Sequence, residues 1–87
     1  MPFAVREFQP TPNPNALKVV LDKAVSEQPM SFLSPAAAES HALARQLFAV
    51  SGVTSVLLLG DFITINKSPQ ARWPDIKRNV QQVLSSA

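Results

Sequence analysis

Between Gln9 and Asn15 the chain reads Gln-Pro-Thr-Pro-Asn-Pro-Asn, with three prolines at every second position. Each proline fixes its own φ and removes a backbone donor. The residue before each is driven to extended or polyproline geometry. Neither a helix nor an interior strand survives such a run, so it must be a rigid connector. Six of the eight prolines fall in the first 35 residues. The first half of the chain is therefore expected to hold extended segments and turns, and the second half most of the regular structure.

On either side of the connector the pattern suits strands. Residues 3–8, Phe-Ala-Val-Arg-Glu-Phe, alternate imperfectly, whereas Leu17, Val19 and Leu21 within residues 16–21 share one face with Lys18 opposite. Residues 22–34 carry weak signals and read as irregular. Ser34-Pro35 then looks like an N-cap with proline at the first helical position. Three alanines follow, and Leu43, Leu47 and Val50 recur on one face with Ala44 and Phe48 beside them. Gly52 is placed to end this helix. Val53 to Leu59 and Phe62 to Asn66 flank Gly60-Asp61, which predicts a β-hairpin. Trp73-Pro74-Asp75 opens a last helix whose apolar stripe is Ile76, Val80, Val83 and Leu84. The expected order is β-β-α-β-β-α: an α+β fold with a four-stranded antiparallel sheet and both helices on one face. The expected core is Leu17, Val19, Leu43, Leu47, Phe48, Val56, Ile63, Ile65, Ile76, Val80 and Leu84.

Eighty-seven residues, 46% hydrophobic and 16% charged, are expected to form one folded domain spanning residues 1–87. The absence of cysteine removes disulfides, thiolate nucleophiles and thiolate-ligated iron–sulfur clusters. The one histidine, His41, leaves nothing for a His-based triad, and reads as a surface residue in an alanine-rich helical region. With glycine only at positions 52 and 60 there is no phosphate-binding loop, so an enzyme is not expected. Val56 to Leu59, the longest run of large aliphatics, is far short of the ~20 residues of a spanning helix. The start of the chain lacks a basic segment followed by an apolar core. A cytoplasmic protein without membrane contact is expected, and a monomer.

Three stretches carry a family resemblance. They are Thr11-Pro12-Asn13-Pro14-Asn15-Ala16-Leu17-Lys18; Leu43-Ala44-Arg45-Gln46-Leu47-Phe48 with Gly52-Val53; and Asp61-Phe62-Ile63-Thr64-Ile65 with Lys67 and Trp73. Together, from about Phe3 onward, they resemble the N-terminal domain of the Nfu/NifU-like iron–sulfur cluster scaffold proteins. In full-length members a separate C-terminal domain binds the cluster through Cys-x-x-Cys, which this chain does not contain. The resemblance therefore implies no cofactor on this chain, only an indirect link to iron–sulfur clusters. It implies partners among iron–sulfur assembly or recipient proteins. Two departures are local: His41 and Ala42 stand where the family commonly has Ser-Pro, and the glycine before Asp61-Phe62 is displaced by one residue.

Charge points to a surface. Net charge is +2, but residues 45–87 hold five basic and two acidic residues. Lys67, Arg72, Lys77 and Arg78 are half of all basic residues and surround Trp73. Such a segment suits an acidic protein surface. It also suits single-stranded nucleic acid gripped by phosphate contacts and stacking, although a charge of +2 is weak for that partner. A carboxylate iron site is a third reading, disfavoured by scattered acids. Trp73 reads as a hydrophobic anchor tucked against the sheet, and Asp61 as a turn residue. The expected partner-binding surface joins Pro12, Asn13, Pro14, Asn15, Arg45, Lys67, Arg72, Lys77 and Arg78.

Overall fold

The computed structural model describes residues 3–86; Met1 and Pro2, at the start of the chain expected to lack a leader, and Ala87 lie outside it. The strands are β1 (Val5–Pro10), β2 (Ala16–Leu21), β3 (Ser26–Phe32), β4 (Val53–Gly60) and β5 (Phe62–Lys67). A 3₁₀ turn at Ala36–Ala38 precedes α1 (Ala42–Phe48), and α2 (Trp73–Ser86) closes the described chain. All pairings are antiparallel, in the order β1-β2-β5-β4-β3. The alternation in β2 and β5 puts Leu17, Val19, Leu21, Ile63 and Ile65 on the same face as Val56 and Leu58 of β4. Ile76, Val80 and Leu84 of α2, and Leu43, Ala44 and Leu47 of α1, complete that core.

The expected α+β class and the apolar faces are present; the strand count and some element limits are not as expected. The sheet has five strands, because residues 26–32 pair with β4 as an edge. Their pattern hides this: only Phe32 is buried, Pro29 interrupts the segment, and the register shifts between Ser26 and Met30. Such irregularity is how edges avoid further pairing. β1 covers Val5–Pro10 and not 3–8, with a register shift between Val5 and Glu7. That bulge accounts for its broken alternation, since Val5 and Phe8 both pack against the core across it.

The first helix is divided. Ser34 Oγ accepts from Ala37 N at 3.3 Å, but only a 3₁₀ turn follows. His41 is extended (φ −115°, ψ 110°) and its Nδ1 accepts from Ala44 N at 3.2 Å, making it the N-cap of α1. Its ring lies 5.4 Å from that of Phe32. His41 is thus a half-buried capping residue rather than a free surface one. Phe48 is half-buried against the core, while Leu21, Phe32, Ala38, Val50 and Leu58 join the interior.

Candidate functional site

The connector between β1 and β2 is folded onto itself. Asn13 Oδ1 accepts from Asn15 N at 2.9 Å, an Asx turn. Thr11 Oγ1 accepts from Asn13 N at 3.2 Å and lies 2.9 and 3.0 Å from the carbonyl oxygens of Asn13 and Ala16. Two contacts then fasten it to the other end of the sequence. Lys67 N donates to Asn15 O at 2.8 Å, continuing the β2–β5 ladder. Trp73 Nε1 donates to Pro14 O at 3.0 Å. Trp73 packs against the core, as its anchoring role requires, and its polar edge holds the connector in place.

Lysines cover this corner. Lys67 Nζ lies 5.6 Å from the centre of the Trp73 ring and donates to Asn15 Oδ1 at 3.1 Å. One turn into α2, Lys77 Nζ lies 5.2 Å from the centre of the Phe8 ring. Phe8, Pro10, Pro14, Leu17, Trp73 and Lys77 line an open groove of about 330 Å³. Among the described residues no carboxylate lines it.

The connector, Lys67 and Lys77 are therefore brought together; the arginines are not. Arg78 NH2 bonds Asp75 Oδ1 at 3.2 Å, with both side chains mostly exposed, and borders Phe3 and Val5 instead. Arg72 is exposed just before α2 and flanks a different hollow, with Ser51 and Asp75. Arg45 is exposed on α1, which packs on β4 and α2; none of the described hydrogen bonds or ion pairs ties it to the connector. Sequence reasoning missed Phe8 and Pro10 as parts of this corner. The bulge of β1 hid them, because it breaks the alternation that would have put Phe8 on the core face.

An iron–sulfur cluster does not fit these residues. The chain has no cysteine. Among the described residues no three His, Asp or Glu side chains are grouped to hold a metal ion. No described helix is long and apolar enough to cross a membrane.

Residues 5–87 match the family model described as "Scaffold protein Nfu/NifU N terminal". The human NFU1 iron-sulfur cluster scaffold homolog, mitochondrial, is 44% identical over 86 residues, covering 92% of this chain and 34% of the relative. Conserved virulence factor C of Staphylococcus aureus (strain MRSA252) is 27% identical over 81 residues, covering 93% of this chain and 22% of the relative. The chain thus spans about a third or less of the length of these curated relatives. A NifU-like protein from Saccharomyces cerevisiae, solved by NMR, superposes with a TM-score of 0.82 at 26% identity, over 95% of this chain and 77% of that one. A Staphylococcus aureus protein solved by crystallography shares the fold, with a TM-score of 0.78 at 24% identity over 92% of this chain and 96% of that one. Taken with the five-stranded sheet, the clamped Pro-Asn connector and the match across residues 5–87, these likenesses show that the chain belongs to the Nfu/NifU N-terminal family.

Proposed function

We propose that this chain is a non-catalytic binding module, folded as one domain over residues 1–87, that serves iron–sulfur cluster assembly or transfer through protein contacts. One observation carries the reading: a member of a family described as scaffold proteins has no thiolate of its own. A cluster is then ligated outside these 87 residues, in a cytoplasmic setting, and this monomeric module supplies contact surface. The surface is the corner formed by Pro12, Asn13, Pro14, Asn15, Lys67 and Lys77, with Arg45, Arg72 and Arg78 as outlying charges. Its stiffness favours docking, because a connector already held by Trp73 and Lys67 loses little conformational entropy on binding.

The test is a cross-linking pull-down of the 87-residue chain with purified iron–sulfur assembly and recipient proteins. A saturable complex with one of them is the expected result. Alongside it, anaerobic reconstitution with iron and sulfide should leave no cluster absorbance on the chain after gel filtration. A stoichiometric cluster on the isolated chain, or no complex with any assembly or recipient protein, overturns the reading.

A further inference from the structure

The groove beside the connector has two kinds of wall. Phe8, Pro10, Pro14, Leu17 and Trp73 make it apolar, and Lys77 stands at its edge with Lys67 close by on the Trp73 ring. Both ammonium groups rest on aromatic rings; among the described residues the ion pair is Arg78–Asp75, which involves neither. Asp75 is turned to Arg78 and away from the groove. Glu7 bonds Gln9, and both lie on the opposite face of the sheet, paired with Val20 and Lys18. Among the described residues the charge of the groove is therefore positive and unanswered. Its volume of about 330 Å³ is at the small end of ligand sites, which run to roughly 300–1,000 Å³.

We infer that this groove docks a short peptide segment of a partner protein, carrying a carboxylate side chain next to a large apolar one. The carboxylate meets Lys77, and the apolar side chain lies between Phe8 and Trp73. Trp73 in an apolar pocket is the element of this groove that matches interface hot spots, where tryptophan is enriched. Single-stranded nucleic acid fits less well. The Trp73 indole N–H is committed to Pro14 O, Lys67 already occupies a ring face, and the arginines that would track a phosphate backbone lie elsewhere. The inference rests on the binding-module reading above and adds the partner's chemistry and the place where it docks.

Trp73 is the single tryptophan, so its fluorescence reports the groove directly. The probe is an acetylated, amidated decapeptide of alternating glutamate and leucine, with alternating glutamine and leucine as the matched neutral peptide. The glutamate peptide should shift Trp73 emission saturably and bind at least about three-fold more tightly than the glutamine peptide, with the preference shrinking at high salt. Lys77→Gln should erase that preference, Lys77→Arg should keep it, and NMR spectra of both variants should show an intact fold. Equal binding of the two peptides, or an undiminished preference in folded Lys77→Gln, overturns the inference. So does tighter binding of oligothymidylate than of the glutamate peptide. The two readings fail separately. An assembly protein that binds wild type and Lys77→Gln alike removes the groove and leaves the module. Selective peptide binding with no assembly or recipient partner removes the pathway and leaves the groove.

Discussion

His41 stands at a position where a side chain must close the first turn of α1. Its Nδ1 takes the amide of Ala44, and its ring meets Phe32. His41→Ala should cost about 1 kcal/mol through the lost cap, plus about 0.5–1.5 kcal/mol if the ring contact behaves as an aromatic pair. His41→Asn keeps a capping acceptor and loses only the ring, so urea titration of both variants separates the two. The residue's type was visible in the sequence, but its role was not, because a cap is recognisable only once the helix start is known. Gly52 and Gly60 make a second pair. Gly52 has φ +95°, and a Cβ there would lie 2.6 Å from Ala71 Cβ. Gly60 has φ +56° at the first central position of the hairpin loop, with open space around it. Gly52→Ala should cost about 2–4 kcal/mol, from left-handed backbone and overpacking together. Gly60→Ala should cost about 1–2 kcal/mol, from backbone alone. Thermal melts that rank Gly60→Ala as the worse variant would mean that the Ala71 contact relaxes freely.

At the scale of elements, legibility followed periodicity. β2, β5 and α2 each carry a repeating apolar face, and each was readable from its own residues: Leu17, Val19 and Leu21; Ile63 and Ile65; Ile76, Val80 and Leu84. β3 was unreadable because its ladder is specified by β4, far along the chain, while its own Glu27, Gln28 and Pro29 are exposed. β1 was blurred by its bulge. The candidate site shows the same limit: the connector and the basic segment were visible separately, but only the β2–β5 pairing sets Asn15 beside Lys67, and only the tertiary fold brings Lys77 over Phe8. The α2 stripe can be tested along its own length. Val80 is 1% exposed, whereas Val83 is half-buried on its flank. Val80→Asp buries an unpaired carboxylate and should abolish cooperative folding. Val83→Asp lets the carboxylate reach water, so a two-state transition should survive at a lower midpoint. Equal midpoints in circular dichroism melts would mean that the stripe is drawn through the wrong residues.

Across the whole molecule, every lysine lies over an aromatic ring. Lys18 is 4.4 Å from the ring centre of Phe62, Lys23 5.3 Å from Phe3, Lys67 5.6 Å from Trp73, and Lys77 5.2 Å from Phe8. The four arginines take no such place among the described residues; their described contact is the exposed Arg78–Asp75 pair. Basic charge is thus divided by residue type, with lysine spread over the rings and arginine in solvent. The division is testable at constant charge. Changing all four lysines to Gln, or all four arginines to Gln, takes the formal net charge from +2 to −2 in either case. Generic charge effects therefore cancel in the comparison. The lysine set loses four cation–π contacts, each worth about 0.5–1 kcal/mol at exposed sites, or about 2–4 kcal/mol together, and with them the hydrogen bonds of Lys67 to Asn15 and Ser68. The arginine set loses one exposed ion pair, worth at most about 1 kcal/mol. A domain of this length has roughly 4–13 kcal/mol of stability in all, so the lysine set should lower the urea midpoint clearly more than the arginine set. Equal midpoints would mean that the ammonium groups merely pass over the rings, and that Lys77 enters the groove with no energetic tie to Phe8.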